Sequence, residues 1–253
     1  MMGWSMTFSS AELERYDRQI RINGLGRDGQ SKLKKARVIV VGAGGLGCPA
    51  SLYLVAAGIG HVAVVDKETV ELSNLNRQVL HWSDDIGRPK GVSMIQKLRQ
   101  LNSEGTVDAI QKAVTTDNAR QLVKGFTVVV DALDNWRTRF LLNKACVKEK
   151  IPFVHAGAYA LYGQITTILP GKGPCLQCIL PKIPPEEEKF PVLGAAVGTL
   201  GLLEALETIK IITGSGEPLV GRMLHFDGET MSFQEIKVER RRNCPVCGSL
   251  WKV

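Results

Sequence analysis

A glycine-rich run between two apolar segments limits most strongly what this chain can fold into. The run Gly42-Ala43-Gly44-Gly45-Leu46-Gly47 follows residues 38–41, which have the pattern of a buried strand. It opens the apolar helical segment 46–57, and a second strand pattern follows at residues 61–66. Strand, helix and strand within so short a stretch predict a βαβ unit, whose two strands are parallel.

Composition adds few constraints. The chain has 253 residues, 44% of them apolar and 23% charged, and its formal net charge of +7 suits an acidic partner or a polyphosphate ligand. Residues 38–65 carry no charge and are numerous enough to span a bilayer, but six glycines and Pro49 favour the βαβ interpretation. Without a secretory signal or membrane segment, the expectation is a cytoplasmic protein.

The remaining pattern predicts an α/β fold with a mixed central sheet, parallel in its first half and antiparallel in its second. We expect a single domain over residues 1–253, made of a helical segment (11–35), a nucleotide-binding half (36–150) and a second half (151–253). Helices are predicted at residues 91–101, 135–150 and 193–212, and strands at 126–131, 153–155, 164–169, 223–227 and 232–238.

The glycine run has the context of a dinucleotide-binding loop. Glycines let backbone N–H groups approach phosphates, the helix N-terminus adds partial positive charge, and Asp66 can accept hydrogen bonds from ribose hydroxyls. A tight turn without a ligand is the structural alternative. The motif itself does not distinguish NAD from ATP.

Two cations beyond the second strand favour a triphosphate. Arg77 lies in Ser73-Asn74-Leu75-Asn76-Arg77-Gln78, and Lys90 follows Arg88-Pro89. NAD carries two phosphate charges, whereas ATP needs several cations to hold its β- and γ-phosphates and the departing pyrophosphate. Either cation alone would be interpreted as a solvated surface charge.

Carboxylates follow the predicted strand 126–131. Asp131-Ala132-Leu133-Asp134-Asn135 places them at a strand's carboxyl end, where open α/β sheets bind ligands. Asp134 is suited to bind Mg²⁺ through an oxygen atom. As the alternative, Asp134 would cap the following helix.

Four cysteines have the spacing of a structural zinc site. Cys175-x-x-Cys178 and Cys244-x-x-Cys247 form two knuckles, and four thiolates make a tetrahedral Zn²⁺ site with no open position for catalysis. Zinc would clip the C-terminal segment onto the middle of the chain. The other two cysteines, Cys48 and Cys146, are interpreted as core residues.

In combination these motifs resemble the MoeB/ThiF/HesA family, relatives of the ubiquitin-activating enzymes. The resemblance runs from Glu14 to Gly248 and is carried, in order, by Arg15-Tyr16-Asp17-Arg18-Gln19, the glycine run, Asp66, the SNLNRQ motif, Lys90, the DALDN motif and the two cysteine pairs. It implies ATP-dependent adenylation of the C-terminal carboxylate of a small ubiquitin-like sulfur-carrier protein with a Gly-Gly tail, with release of pyrophosphate.

The resemblance also assigns roles to residues. Arg18 would reach into the partner's site of a homodimer, and with Arg77, Lys90 and Asp134 it forms the expected catalytic set. Gly42 and Gly44 would lie against the nucleotide, and Asp66 would bind its ribose. The phosphates would be bound by Asn74, Arg77 and Lys90, and Mg²⁺ by Asp134. The neighbouring motif residues are also expected to bind the nucleotide, namely Ser73, Leu75, Asn76 and Asn135.

One departure from the family's pattern bears on mechanism. Relatives that form a covalent link to the carrier have a cysteine shortly before the segment matching residues 190–210, where this chain has Glu186-Glu187-Glu188-Lys189. We therefore expect adenylation without a thioester on this chain, no rhodanese-type domain, and sulfur from a separate persulfide donor. Molybdopterin, thiamine and amino-acid pathways remain open.

Two other interpretations compete with this one. An NAD-dependent dehydrogenase with a structural zinc would explain the glycine run and the cysteines but not Arg18, Arg77 and Lys90. A dimeric RNA-binding module is suggested by Glu239-Arg240-Arg241-Arg242-Asn243. We expect neither nucleic acid nor a membrane as the partner.

Overall fold

A single eight-stranded sheet organises the chain in a computed structural model that describes residues 8–187 and 190–251. The strands are β1 (Arg37–Val41), β2 (His61–Val65), β3 (Thr106–Ile110), β4 (Val128–Asp131), β5 (Phe153–Tyr159), β6 (Tyr162–Ile168), β7 (Arg222–Asp227) and β8 (Ser232–Lys237). Their spatial order is β3-β2-β1-β4-β5-β6-β7-β8. Strands β1 to β5 pair in parallel and β5 to β8 antiparallel, so the predicted mixed sheet is confirmed.

Helices cover both faces of this sheet. They are α1 (Ser10–Arg15), α2 (Asp17–Ile20), α3 (Gly26–Lys35), α4 (Gly47–Ala56), α5 (Lys90–Leu101), α6 (Ala119–Val123), α7 (Trp136–Glu149), α8 (Leu176–Ile179) and α9 (Gly194–Thr213). Short 3₁₀ turns occupy Leu72–Asn74, Ser83–Asp85 and Gly248–Trp251.

The central strand β1 is buried on both faces. Val38 and Val40 belong to an apolar cluster with Leu54 of α4, while Ile39 and Val41 belong to a second cluster with Phe140 of α7. Successive side chains of a strand point to opposite faces, so a strand covered on both sides needs a continuous apolar run. The sequence RVIVV of β1 provides that run.

The predicted helices and strands are confirmed, with shifts at their ends. Strand β5 extends to Tyr159 rather than ending at His155, because its second half pairs with β6 in a tight hairpin. Strand β3 and the short helices α6 and α8 were not predicted. Strand β3 lies at the sheet edge, where only Val107 is fully buried, so its sequence lacks a clear apolar period.

Two of the sequence predictions fall partly outside this description. Glu188 and Lys189 of the acidic segment, like residues 1–7 and 252–253 of the expected single domain, lie outside the described residues. Within the described residues, no helix combines the length and the apolar character that crossing a membrane requires.

Candidate active site

A cleft with a volume of about 860 Å³ opens at the carboxyl ends of β1, β2 and β4. The crevice at these strand ends is where open α/β sheets bind their ligands. The cleft brings together nine of the residues predicted from sequence, namely Gly42, Gly44, Asp66, Ser73, Asn74, Arg77, Lys90, Asp134 and Asn135.

The glycine run makes the tight turn between β1 and α4. Gly42 has φ +110°, and a Cβ atom there would lie 2.3 Å from the carbonyl oxygen of Ala132. A Cβ atom on Gly44 would meet nothing closer than Gln78 Nε2, at 3.7 Å. Gly42 is therefore required by the turn itself, whereas the backbone at Gly44 tolerates a side chain and only the cleft restricts it.

Residue Ala43 is held from both sides. Its N–H donates to Asp66 Oδ2 at 2.8 Å, and its carbonyl oxygen lies 2.9 Å from His81 Nε2. The second oxygen of Asp66 accepts from the N–H of Glu68 at 2.8 Å. The predicted ribose acid thus also fixes the glycine run.

The two predicted cations approach the cleft from the segment after β2. Arg77 donates from Nη1 to the carbonyl oxygen of Ser73 at 2.9 Å and to Asn76 Oδ1 at 3.0 Å. Lys90 begins α5 and is 5% exposed, and its Nζ lies 2.6 Å from Glu68 Oε2. Both side chains are therefore held in place by neighbouring groups while they line the cleft.

Asp134 is exposed in the cleft and does not cap a helix. Helix α7 begins at Trp136, and the N-cap is Asn135, whose Oδ1 accepts from the N–H of Thr138 at 3.0 Å. The capping alternative for Asp134 is therefore wrong, because the helix starts one residue later than that alternative needs. Its carboxylate stands at the entrance of α7 with an oxygen available to a cation.

Three predicted site residues lie outside the lining of the cleft. Leu75 is half-buried and Asn76 exposed, and the Asn76 side chain accepts from Arg77. Arg18 is exposed on α2, so no contact with the cleft of its own chain is seen.

A second cavity of about 340 Å³ adjoins the cleft. The two share Asp134, Asn135, Arg139, Ala158 and Phe190. The hairpin of β5 and β6 adds Gly157, Tyr159, Tyr162, Gly163 and Gln164 to the wall of the second cavity.

Arg139 connects the two cavities. It is 5% exposed, donates from Nη2 to the carbonyl oxygen of Leu133, and lies over the Trp136 ring at 4.9 Å. Its Nε lies 3.8 Å from Asp131 Oδ1 and is buried without a hydrogen-bond partner. Arg139 lines both cavities, so its positive charge suits an anionic group at their junction.

Three buried polar residues near Arg139 lie behind this junction, namely Asp131, His155 and Glu204. His155 lies 2.7 Å from Asp131 through Nδ1, and burial lowers the pKa of His155 although Asp131 opposes that effect. Burial, with the Asp131 charge, raises the pKa of Glu204 well above its usual range. Burial thus favours the neutral forms of His155 and Glu204, and Arg139 lies beside Asp131 with a positive charge.

The four paired cysteines meet in the apolar cluster on the α7 face of the sheet, and they do not line the cleft. Their Sγ atoms lie within 4.8 Å of one another, with separations of 3.6 Å for Cys175–Cys244 and 3.4 Å for Cys178–Cys247. A tetrahedral zinc ion with Zn–S bonds of about 2.3 Å spaces its sulfurs by roughly 3.8 Å, so the cluster fits one ion. Although burial opposes it, backbone N–H groups of Cys247 and Val246 lower the pKa of Cys244 to about 7.

The two other cysteines are core residues, as predicted. Cys48 and Cys146 are fully buried. Burial raises the pKa of Cys48 to about 12 and that of Cys146 well above its usual range. Neither thiol has the thiolate character that nucleophilic chemistry requires.

Sequence reasoning missed three residues at this site. Gln78 is buried beside Gly44 with its Oε1 unpartnered, Arg139 joins the two cavities, and His81 contacts the glycine run. Gln78 could have been found, since it ends the SNLNRQ motif, whereas Arg139 and His81 are near the site only through long-range packing.

Comparison with known proteins places the chain among adenylating enzymes. The model of the ThiF family matches residues 16–246. The chain is 43% identical over 249 residues to the SAMP-activating enzyme E1 of Haloferax volcanii, covering 96% of this chain and 92% of that protein. It is 46% identical to the adenylyltransferase and sulfurtransferase MOCS3 of Culex quinquefasciatus over 93% of this chain, which spans 55% of that relative's length.

Solved structures agree with this placement. The chain superposes on E. coli MccB with ATP at a TM-score of 0.84 and 26% identity, covering 95% of this chain and 75% of that one. MccB with AMPCPP and MccA gives a TM-score of 0.85, with the same identity and coverage. The family resemblance is confirmed: the chain belongs to the ThiF family.

Proposed function

We propose that this chain uses ATP to adenylate the C-terminal carboxylate of a small ubiquitin-like sulfur-carrier protein, releasing pyrophosphate. The observation that carries the proposal is the junction of two cavities: a cleft lined by the glycine run, Asp66, Arg77 and Lys90, and a second cavity that meets it at Asp134 and Arg139. A nucleotide and an acyl substrate would meet at this junction.

The charges in the cleft favour ATP over NAD. Lys67, Arg77, Lys90 and Lys112 all line it. Asp66, Glu68, Glu71 and Asp134 line the cleft as well, so a triphosphate is favoured by the number of cations available to its β- and γ-phosphates and to the departing pyrophosphate, and not by a net positive charge. One of the comparison structures is MccB with ATP, which supports the same choice.

The reaction needs positioning and charge rather than a proton carrier. A C-terminal carboxylate is ionised at neutral pH, so its oxygen can attack the α-phosphorus atom without a general base while the α–β bond to pyrophosphate breaks. Arg77 and Lys90 would bind the phosphates and offset the charge that develops on pyrophosphate. A Mg²⁺ ion held by Asp134 would supply further charge neutralisation. Asp66 would bind the ribose hydroxyls.

The second cavity would take the carrier's tail. Gly157 lies in its wall beside Tyr159 and Tyr162. A Cβ atom on Gly157 would lie 2.9 Å from Arg139 Nη1, so backbone replaces side chains around the guanidinium. An extended tail of small residues fits such a passage, and Arg139 lies where the terminal carboxylate would arrive.

The rest of the proposal concerns partners and metals. The active unit would be a homodimer in which Arg18 reaches the partner's cleft, and Cys175, Cys178, Cys244 and Cys247 would hold structural Zn²⁺. Paired thiols of this kind suit the reducing cytoplasm. The domain would span the chain without a break, since one sheet contains strands from both halves.

No covalent carrier intermediate is proposed on this chain. Cys48 and Cys146 are the cysteines outside the metal cluster, and both are buried thiols of raised pKa. Sulfur would come from a separate persulfide donor.

Calorimetric titration with Mg-ATP and, separately, with NAD tests the nucleotide. We expect binding of Mg-ATP alone, followed by ATP–pyrophosphate exchange that requires a ubiquitin-like carrier ending in Gly-Gly. The matched control is the same carrier without its last glycine, which should support no exchange. Binding of NAD without ATP would replace this proposal with the zinc-containing dehydrogenase.

A further inference from the structure

His81 occupies a buried position between the glycine run and α5. It is 3% exposed, and both of its ring nitrogens have partners: Nε2 lies 2.9 Å from the carbonyl oxygen of Ala43 and Nδ1 lies 2.9 Å from Ser93 Oγ. A carbonyl oxygen only accepts hydrogen bonds, so Nε2 carries the proton and donates to Ala43. Nδ1 of the neutral ring then accepts from the Ser93 hydroxyl.

The neutral ring is the form that this pocket favours. Burial lowers the pKa of His81, and the Lys90 and Lys97 ammonium groups act in the same direction, while the Ala43 carbonyl and Asp85 oppose them. At neutral pH, His81 is therefore a fixed donor toward the glycine run.

Beyond Ser93 the contacts continue to a buried ion pair. Lys97 Nζ donates to Ser93 Oγ at 3.1 Å and pairs with Asp85, whose Oδ2 accepts from the Trp82 N–H at 2.9 Å. Although burial opposes it, Lys97 and the Trp82 N–H lower the pKa of Asp85 to about 2. The partner of His81 is thus fixed by α5, the helix that Lys90 begins.

The direction of the Ala43 carbonyl has a consequence at the cleft. In a trans peptide the carbonyl oxygen of one residue and the N–H of the next point to opposite sides. With the Ala43 oxygen turned inward to His81, the Gly44 N–H turns away from His81. No partner for that N–H is found among the described residues, and Gly44 lines the cleft.

We propose that His81 is a positioning residue: by holding the Ala43 carbonyl, it orients the Gly44 N–H toward a nucleotide phosphate. The proposal rests on the function proposed above. Asp66 holds the N–H of Ala43 from the other side, so the two side chains fix the peptide planes on both sides of Ala43. A free N–H aimed from a glycine run is a phosphate ligand.

Three variants test this assignment. In His81→Gln the amide nitrogen takes the place of Nε2 and keeps the donor to Ala43, whereas in His81→Asn the amide ends near the place of Nδ1 and loses it. Leu98→Val is the control: Leu98 is fully buried on α5, so the change lowers stability without touching the His81 contacts. Thermal unfolding of all three shows which proteins are folded.

The readouts are the Kd for Mg-ATP by calorimetry and amide hydrogen exchange of the peptide covering residues 42–47. We expect His81→Asn to raise the Kd about tenfold, the effect of losing one buried hydrogen bond, and to speed exchange in that peptide. His81→Gln should stay within about threefold of the parent in Kd, and Leu98→Val should match the parent in Kd despite its lower Tm.

Several results would overturn the assignment. An unchanged Kd in folded His81→Asn, or equal losses in His81→Asn and His81→Gln, would reduce His81 to a packing residue. If the parent protein does not bind Mg-ATP while exchange still rises only in His81→Asn, the proposed function fails and the role toward phosphate fails with it. In that case only the structural part of the assignment would remain, namely that the His81 hydrogen bond to Ala43 orders the glycine run.

Discussion

Gly42 and Gly44, which both line the cleft, should respond differently to the same added methyl group. At Gly42 the backbone has φ +110°, and a Cβ atom would lie 2.3 Å from the Ala132 carbonyl oxygen. At Gly44 the nearest atom would be Gln78 Nε2 at 3.7 Å, an ordinary contact distance. Gly42→Ala should therefore lower the stability of the fold, whereas Gly44→Ala should alter only the lining of the cleft.

The cost at Gly42 has two parts. A residue with a Cβ atom in this region of φ costs about 1–3 kcal/mol, and overlap with a fixed backbone carbonyl costs about 1–3 kcal/mol more. Alanine also lowers the conformational entropy of the unfolded chain, which stabilises the variant by about 0.4–1 kcal/mol. We expect Gly42→Ala to lower the free energy of unfolding by about 1–5 kcal/mol out of a typical 5–15, and the Tm by about 2–20 °C.

Urea unfolding followed by circular dichroism measures this difference, with Gly44→Ala as the matched control. Gly44→Ala should stay within about 1 kcal/mol of the parent while weakening Mg-ATP binding, because its methyl group borders the cleft. If Gly42→Ala proved as stable as Gly44→Ala, the strain assigned to the turn would be refuted.

Three further outcomes are expected. Asp134→Ala should abolish carrier-dependent ATP–pyrophosphate exchange without loss of zinc. Mixing this variant with Arg18→Ala should restore part of the activity through hybrid dimers. If subunits that are shown to exchange give no rescue, Arg18 does not act in the partner's site. Cys244→Ser should lower the metal content, measured by mass spectrometry, and the Tm, while a zinc content equal to the parent's would rule out this ligand set. The pKa of His155 is lower in the native state than in the unfolded chain. As the pH falls below about 6.5, the unfolded chain therefore binds a proton that the native state does not. The free energy of unfolding should then fall by up to about 1.4 kcal/mol per pH unit. Above that pH the histidine contributes no slope, and His155→Asn, which keeps a donor to Asp131, should lack this part of the fall in urea unfolding.

The parts of the fold that sequence reasoning found are those governed by local pattern. The run RVIVV, the glycines after it and the apolar helix α4 each indicate the same βαβ unit, and the structure has it. Strand β3 was missed because an edge strand with Asp108 paired to His61 has no need of a continuous apolar run. Local pattern is weakest where a strand has one neighbour.

The site divides in the same way. Motif residues such as Asp66 and Lys90 were found because Asp66 ends a predicted strand and Lys90 is a cation in the segment that follows it. The second cavity was not found, since it exists only where the β5–β6 hairpin meets the start of α7, residues 185–187 and Phe190. The choice of Asn135 over Asp134 as N-cap also depends on where α7 starts, which sequence leaves uncertain by a residue or two.

The unequal lengths of β4 and β5 have a consequence for how such a protein can diverge. Strand β5 is paired with β4 only over Phe153–His155, and its last four residues are bonded to β6 alone. This overhang forms a wall of the second cavity, beyond the strands that carry the nucleotide-binding loops. Under the proposed function, substitutions at Gly157 and Tyr159, which line the second cavity but not the cleft, would change which protein tail is accepted and leave the nucleotide-binding residues unaltered, so that a new partner could be acquired without inventing a new enzyme.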